Sequence, residues 1–283
     1  MNSTASQVDR VIHRFRDGAW LSTPDHLAVE EPLEIRLNQS VNGASTTEPV
    51  SITMRTPGQD RELAAGLLFG EGIVSSPSDI ESIEHAVDHA PESEHRNTLL
   101  VSLRPGLAVD LEHQRRHFTT TSACGVCGKS SLDALVLDGC RPLKSELHVS
   151  AQTLAAMPGL LRQRQCGFEA TGGVHAVGLF SAGGELRALG EDVGRHNAFD
   201  KVVGARFLAR DMEALASQVV LLSGRASYEL LQKALRARIP VVAAVGAPSS
   251  LAVEIAETFN ITLVGFLKSG SFNVYSGRER LRD

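Results

Sequence analysis

The chain has 283 residues, a formal net charge of −5 at pH 7, 42% hydrophobic residues and 22% charged residues. At about 100–200 residues per domain, the length predicts one large domain or two smaller ones. This globular composition excludes a disordered chain, a coiled coil and a collagen-like chain. A chain with a net negative charge lacks the overall positive potential of a general nucleic-acid binder. No apolar run approaches the ~18 residues that are needed to cross a bilayer. We therefore expect neither nucleic acid nor membrane as a partner.

The cysteine count and the first residues indicate the compartment. Four cysteines are too few for a disulfide scaffold in a chain of this length. The opening segment, MNSTASQVDR, lacks the apolar stretch of a signal peptide. We therefore predict a cytoplasmic protein in which paired cysteines are reactive or metal-binding. Residues 1–20 are predicted to form a flexible polar tail.

The first half of the chain, residues 21–122, is predicted to form a smaller β-rich domain. Apolar and polar residues alternate over residues 33–37 and 50–54, which is the period of a half-buried strand. A helix capped by Asp60 is predicted to follow and to end near Gly70. Further predicted strands are residues 99–103, 107–111 and 118–121, with an exposed loop over residues 91–97.

The second half, residues 123–283, is predicted to be an α/β domain, so that the chain is α/β in class and α+β overall. A hairpin of residues 175–180 and 186–189 precedes a helix over residues 197–210. Three apolar runs then alternate with two helices, a pattern typical of buried parallel strands joined by right-handed crossovers. The runs are residues 219–222, 241–245 and 261–266, and the helices begin at Ser227 and at Ser249 or Ser250.

The strongest chemical signal is the loop over residues 119–131, where Cys124 and Cys127 stand three positions apart among small residues. A thiol close to a lysine and to a helix N-terminus tends to ionise, and the thiolate is the nucleophile of sulfur chemistry. Lys129 and a predicted helix that begins near Leu132 provide both features. The pattern therefore favours a reactive pair of thiols.

Two other interpretations of this cysteine pair stay open. The pair could be incidental in a surface loop, or it could be half of a structural zinc site, which needs two more ligands. Cys140 and Cys166 are isolated, and no second CxxC pattern exists in the sequence. Even for a reactive pair, the CxxC spacing does not separate redox exchange from sulfur transfer.

Three junctions between a strand and a helix are predicted to converge at one edge of the sheet in the second half. They lie within residues 190–201, 223–227 and 246–250, and they contain small residues and hydrogen-bond donors. The carboxyl ends of parallel strands leave room for a ligand, and helix N-termini favour anions. Residues 266–271 add an aromatic ring, a lysine and a glycine. Together these groups suit the phosphates and the base of a nucleotide.

Each of these signals also has an ordinary structural interpretation. The first junction could be a helix cap with a buried Asp192–Arg195 ion pair, and the other two resemble loops of many α/β proteins. His175 follows Gly172 and Gly173 at the start of a predicted strand. It is either a hydrogen-bonded core histidine or an acid–base group of a pocket, and the pattern leaves both open.

The order of these motifs resembles that of the FdhD family of formate dehydrogenase accessory sulfurtransferases. The resemblance covers nearly the whole chain except its N-terminal segment, and so many motifs in one order make it specific. The motifs are Glu31-Pro32-Leu33, Arg55-Thr56-Pro57-Gly58, Gly66-Leu67-Leu68, Glu71-Gly72, the Cys124–Cys127 loop, Thr171-Gly172-Gly173-Val174-His175, Glu191-Asp192-Val193-Gly194-Arg195-His196-Asn197, Ser223-Gly224-Arg225, Ala247-Pro248-Ser249 and Asn273-Val274-Tyr275.

The resemblance implies a sulfur carrier that takes persulfide sulfur from a cysteine desulfurase and transfers it to the molybdenum bis(guanine dinucleotide) cofactor, which formate dehydrogenase needs. Cys124 would carry the persulfide, and Cys127 would assist it or relay the sulfur. The resemblance also implies a second domain like cytidine deaminase. Because a large, labile cofactor favours a homodimer with its sites near the interface, we also expect a homodimer. The residues expected to bind the cofactor are His175, Arg195, His196, Ser223, Gly224, Arg225, Ser249, Phe266, Leu267, Lys268, Ser269, Gly270 and Ser271.

The chain departs from the deaminase zinc pattern, which is H-x-E followed by P-C-x-x-C. Ala176 and Val177 follow His175, and the only CxxC lies upstream of it. We therefore expect neither zinc nor deamination. The alternative function is a non-catalytic chaperone that carries the cofactor and docks on formate dehydrogenase. A thioredoxin-like reductase is disfavoured, because this CxxC does not follow a leading strand of a βαβ unit.

Overall fold

The computed structural model describes residues 6–41, 43–86, 97–109, 132, 135, 136 and 139–283. Cys124, Cys127, the strand predicted over residues 118–121 and nearly all of the loop predicted over residues 91–97 lie outside these residues. The strand predicted over residues 107–111 is described only to Val109, and residues 107–109 are not in a strand. No helix among the described residues is both long and apolar enough to cross a membrane.

The N-terminal residues form a β-hairpin. Strand β1 (Gln7–Arg16) pairs antiparallel with β2 (Ala19–Ala28) along their whole length. Asp17 and Gly18 join the strands with positive φ angles of 52° and 83°, as a type I′ turn requires. The prediction of a flexible tail is therefore wrong for residues 7–20. An Asp-Gly pair between alternating apolar residues is itself a hairpin signal.

A four-stranded sheet follows, in the order β4-β3-β6-β5, and one helix packs on it. Leu33, Ile35 and Leu37 alternate into its core with no exposed surface, which confirms the half-buried strand predicted there. The predicted strands over residues 50–54 and 99–103 are also present. The elements are β3 (Glu31–Val41), β4 (Ala44–Arg55), α1 (Asp60–Gly70), β5 (Ile80–His85) and β6 (Thr98–Leu103).

Helix α1 begins where predicted, but Asp60 does not cap it. The N-cap residue is Gln59, in a left-handed conformation and without a side-chain cap. The carboxylate of Asp60 instead accepts two hydrogen bonds, both of 3.1 Å, from the fully buried guanidinium of Arg55. Pairing with Arg55 stabilises the protein more than a helix cap would, because an unpaired buried ion costs several kcal/mol of folding free energy.

The second half contains a six-stranded sheet in the order β13-β12-β11-β10-β8-β9. The middle strands β10, β11 and β12 are parallel, as predicted, and antiparallel hairpins extend the sheet at both edges. The strands are β7 (Val149–Ser150), β8 (His175–Ser181), β9 (Leu186–Asp192), β10 (Gln218–Leu222), β11 (Val241–Ala244), β12 (Thr262–Lys268), β13 (Ser271–Ser276) and β14 (Leu281–Arg282).

Helices cover both faces of this sheet. Helix α2 packs on one face through Leu154, Met157 and Leu161, and α4, α5 and α6 pack on the other. Alternate residues of β10 point to opposite cores, with Val219 on the α2 side and Val220 on the other. The helices are α2 (Ala151–Arg162), α3 (Cys166–Thr171), α4 (Arg195–Leu208), α5 (Tyr228–Arg236) and α6 (Ser250–Thr258).

The two halves of the chain pack together through α1 and α4. A methyl group on Gly66 would lie 2.0 Å from the backbone oxygen of Asp200, and one on Gly204 would lie 1.8 Å from that of Glu62. Only glycine permits so close an approach of the two helix backbones. The site-bearing helix α4 is thereby held against the four-stranded half of the molecule.

Candidate functional site at one edge of the six-stranded sheet

The three predicted junctions lie side by side at the carboxyl ends of β9, β10 and β11. Backbone hydrogen bonds connect these segments: Ser223 N donates to Ala176 O (2.9 Å), Gly246 N to Gly224 O (2.9 Å) and Phe266 N to Gly246 O (3.1 Å). Because β9 and β10 are both antiparallel to β8, their carboxyl ends share this edge with the start of β8. The structure therefore brings together most of the residues predicted to bind a ligand.

His175 lies at the start of β8 within this edge. It pairs in register with Asp192 on β9, and a methyl group on Gly224 would lie 3.4 Å from its Nδ1 atom. Burial lowers the pKa of His175 below its usual 6.5, and the charges of Arg195 and His196 lower it further, whereas Asp192 opposes them. His175 is therefore a neutral imidazole at pH 7, able to accept or donate one hydrogen bond.

The His175 cleft is an opening of about 500 Å³ beside this residue. Its walls are largely apolar, and the ring of Phe168 on one side carries the guanidinium of Arg162 at 4.4 Å from its centroid. Ser223 lines the cleft, and its Oγ accepts a hydrogen bond of 2.9 Å from Ala176 N. His175 is thus a cleft residue and not a core histidine.

Helix α2 extends this surface toward the β12–β13 turn. Pro158 and Arg162 line the His175 cleft, whereas Ala151 and Ala155 line a groove of about 400 Å³ beside Ser269 and Gly270. Positions 151, 155, 158 and 162 share one helix face. At 1.5 Å per residue this face is about 16 Å long, and its two ends line the two openings.

A second opening, the charged cleft, lies at the N-termini of α4 and α5 and has a volume of about 460 Å³. His196 Nε2 lies 2.8 Å from Glu229 Oε2 and 3.4 Å from Ser227 Oγ. The hydrogen bond from His196 lowers the pKa of Glu229 although burial opposes the shift. Ser227 occupies the N-cap position of α5, as predicted, but its side chain makes no cap hydrogen bond.

Arg195 lines the charged cleft, and its charge lowers the pKa of both His175 and Glu229. Its Nε atom is buried and has no hydrogen-bond partner. Arg225 and Lys268 are exposed, and neither forms a hydrogen bond or an ion pair with the described residues. These three cations are available to neutralise an anionic ligand, which the acidic net charge of the chain does not prevent.

Residues 266–271 extend β12 beyond the predicted end of the strand at residue 266 and lead into β13. Phe266 to Lys268 continue β12, and the chain then turns directly into β13. The side chain of Phe266 is 44% exposed, at a positive φ of 53°. Leu267 has no exposed surface and packs in the core with α2. Strand alternation directs this side chain inward, and a contact between residue 267 and a ligand stays a prediction.

Ser249 has the structural role of a helix cap. It is exposed and occupies the N-cap position of α6, where its Oγ accepts a hydrogen bond of 3.2 Å from Ala252 N. Its backbone N donates to Ala226 O (3.0 Å), which ties the start of α6 to the loop after β10. Ser249 therefore shapes the edge, and a ligand contact from it stays a prediction.

A buried ion pair positions the start of α4, and its members differ from those the sequence suggested. Lys201, rather than Arg195, pairs with Asp192, at 2.7 Å. Lys201 also donates to the backbone oxygen of Thr56 (2.9 Å), and Asp192 accepts from Thr56 N (3.1 Å). Both charged side chains are nearly inaccessible. Thr56 and Asp192 each lie in a motif noted in the sequence. No local pattern in the sequence indicated that the two motifs are in contact.

No three His, Cys, Asp or Glu side chains in the described part of the chain are placed to share a metal ion. Cys124 and Cys127 lie outside that part, so the absence of zinc stays a prediction. Of the other cysteines, Cys166 is exposed and Cys140 is partly buried.

Comparisons with known proteins cover nearly the whole chain. The model of the FdhD/NarQ family matches residues 28–282. A protein of Streptomyces coelicolor named "Sulfur carrier protein FdhD" is 46% identical over 275 residues, which are 96% of this chain and 94% of that protein. The protein of that name in Mycobacterium tuberculosis is 47% identical over 277 residues, 96% of this chain and 97% of that protein.

A solved structure has the same fold. It is the crystal structure of a formate dehydrogenase accessory protein from Desulfotalea psychrophila, with a TM-score of 0.74 and 23% sequence identity. The likeness covers 98% of this chain and 100% of that one. The mixed α/β class predicted for the chain is thereby confirmed.

Proposed function

Because the chain belongs to the FdhD/NarQ family, we propose that it is a sulfurtransferase that serves formate dehydrogenase. The family predicted from the motifs is confirmed, and its curated relatives are named sulfur carrier proteins. In the proposed reaction, the chain accepts persulfide sulfur from a cysteine desulfurase and delivers it to the molybdenum bis(guanine dinucleotide) cofactor. The cofactor is the acceptor substrate in this scheme.

The observation that carries the acceptor assignment is the set of cations at the sheet edge. Arg195, Arg225 and Lys268 lack hydrogen-bonded or ion-pair partners among the described residues, and Phe266 presents an exposed ring in the same region. Diphosphate groups supply the missing negative charge through charge-assisted hydrogen bonds. The 16 Å face of α2, at about 1.5 Å per residue, suits a long dinucleotide better than a compact anion.

The sulfur steps require two thiols. The Cys124 thiolate attacks the terminal sulfur of the donor persulfide, so that the donor S–S bond breaks, the donor cysteine leaves as a thiol and a Cys124 persulfide forms. Release of that sulfur as sulfide requires two electrons. Cys127 supplies them by attacking the inner sulfur of the persulfide, which leaves a Cys124–Cys127 disulfide for a cellular thiol to reduce.

The family resemblance supports three further proposals. The protein acts in the cytoplasm, where its acceptor cysteines stay reduced. It acts as a homodimer. Residues 123–283 form a domain like cytidine deaminase, without its zinc and without its activity, and the boundary to the β-rich domain of residues 21–122 lies near residue 122. The alternative function is a non-catalytic chaperone that carries the cofactor to formate dehydrogenase.

Mass spectrometry of the intact protein tests the sulfur step. After incubation with a cysteine desulfurase and cysteine, Cys124 should gain the mass of one or more sulfur atoms, and reduction should remove it. Cys124→Ala should lose both this gain and the maturation of formate dehydrogenase, whereas Cys166→Ala, at an exposed position, should keep both. Full maturation by Cys124→Ala would exclude the persulfide role and favour the chaperone.

A further inference from the structure

The N-terminal hairpin of residues 7–28, here called the arm, exposes an unusual amount of apolar surface. Eleven large hydrophobic side chains are exposed in the described part of the chain, and five of them lie on the arm. The five are Val11 at 74%, Phe15 at 59%, Trp20 at 71%, Leu21 at 53% and Leu27 at 43%. Such a concentration of apolar side chains marks an interaction surface rather than scattered surface residues.

Both faces of the arm carry this apolar surface. The pairing of β1 with β2 places Val11 on one face with Phe15 and Trp20, whose ring centroids are 5.2 Å apart. Strand alternation places Leu21 and Leu27 on the opposite face. A two-stranded ribbon by itself is at best marginally stable in water. The arm therefore needs a cover that the described residues of its own chain do not supply.

We propose that the arm is a dimerisation element that packs against the arm of a second copy of the chain around a two-fold axis. This inference rests on the homodimer proposed above and names its contact surface. The arm has two strands of 10 residues each, close to the 20–30 residues that each partner contributes to an interface of standard size, roughly 800 Å² per partner.

The charges of the arm select a second copy over a partner of opposite charge. A two-fold interface sets one patch against itself, so a patch with a net charge would repel its own copy. The arm carries three arginines and three aspartates, and Arg14 and Asp25 already lie 3.8 Å apart within it. Two neutral arms do not repel each other. The arginines are Arg10, Arg14 and Arg16, and the aspartates are Asp9, Asp17 and Asp25.

The base of the arm lies beside the functional site, which connects the dimer contact to the chemistry. Val29 N donates to Ser6 O (3.0 Å) where the two strands meet the body of the molecule. A methyl group on Gly173, two residues before His175, would lie 3.4 Å from the Cβ atom of Ala28. Ordering the arm in a dimer therefore orders one side of the segment that leads into the His175 cleft.

The single tryptophan of the chain makes the test direct, because Trp20 lies on the arm. The full-length protein is diluted while its mass is followed by light scattering and its Trp20 emission by fluorescence. We expect a dimer at high concentration, with emission at a shorter wavelength than in the monomer formed on dilution. The double variant Val11→Asp/Leu21→Asp should be a monomer at every concentration and keep the longer-wavelength emission of an exposed indole.

The control is Leu160→Asp, which charges another exposed leucine, 40% accessible, away from the arm; it should stay dimeric. A wild-type protein that is monomeric throughout would overturn both the arm assignment and the homodimer. A dimer that survives the double substitution, or whose Trp20 emission does not change on dissociation, would overturn the arm assignment alone. Sulfur loading of Cys124, measured on the same samples by mass spectrometry, reports separately on the sulfur carrier function.

Discussion

The ammonium group of Lys233 on α5 lies 2.7 and 2.8 Å from the two carboxylate oxygens of Asp200 on α4. Both side chains are at least nine-tenths buried, and Glu71 from the end of α1 lies 3.8 Å from the same ammonium group. Burial opposes the charge of Lys233, but the two carboxylates raise its pKa. One lysine thus connects α1, α4 and α5, and all three helices line the charged cleft.

Removing that lysine should destabilise the protein. Lys233→Ala leaves Asp200 buried without its partner, which we expect to reduce the free energy of unfolding by about 3–5 kcal/mol. The pair Asp200→Asn/Lys233→Met should recover part of the loss, because the buried carboxylate of Asp200 is removed together with its partner. Urea denaturation measures both. Lys144→Ala, at an exposed lysine, is the control and should have almost no effect; an equal loss in the single and double variants would contradict the argument.

The packing of α1 on α4 should not tolerate a side chain at Gly66. A methyl group there meets the backbone oxygen of Asp200 at 2.0 Å, and backbone cannot move aside as a side chain can. We expect Gly66→Ala to cost about 3 kcal/mol, at the upper end of overpacking effects. Gly159→Ala is the matched control on α2, where nothing lies within 4 Å, and it should stabilise by up to ~1 kcal/mol. Thermal melts that shift both variants alike would refute the prediction.

Guanine nucleotides should bind at the sheet edge, and GDP should bind more tightly than GMP. The second phosphate adds charge-assisted hydrogen bonds, each worth about 1.5–3 kcal/mol. Isothermal calorimetry should show that Lys268→Ala and Arg225→Ala weaken GDP binding without unfolding the protein. Added salt should also weaken GDP binding. The control variant Lys144→Ala should bind GDP as the wild type does. Equal affinity for ADP and GDP would show that the site does not recognise guanine. If neither nucleotide binds, the three junctions have only the structural role of helix caps.

Stability should depend on pH through His175. Its pKa is lowered in the folded state, so below its usual value of 6.5 the unfolded chain binds a proton that the folded chain does not. The stability that the lowered pKa of His175 contributes is therefore fully present above pH 6.5. It is lost as the pH falls from 6.5 through the pKa of His175 in the folded state. The unfolding free energy of His175→Gln should therefore change less between about pH 7 and pH 5 than that of the wild type. His148→Gln, at an exposed histidine, should keep the wild-type profile; parallel profiles for all three proteins would rule out this role of His175.

Local patterns in the sequence determined the regular elements of the fold. The apolar runs of β10, β11 and β12 and the alternation in β3 each extend over a few consecutive residues, so burial could be inferred from order along the chain. The shared edge of the three junctions followed as well, since parallel strands joined by crossover helices place their carboxyl ends together. The arm could also have been predicted from its Asp-Gly turn.

Tertiary structure alone decided which side chains meet. Lys201 contacts Thr56 across 145 positions of sequence, and Lys233 contacts Asp200 across 33. Neither partner leaves a local signal, because an ion pair depends on the distance of two groups in space and not on their spacing along the chain. The inward side chain of Leu267 and the backbone contact of Gly66 with Asp200 have the same origin. The sequence determined the strands, helices and chemical groups of this protein, and packing between distant segments decided which of those groups face a cleft.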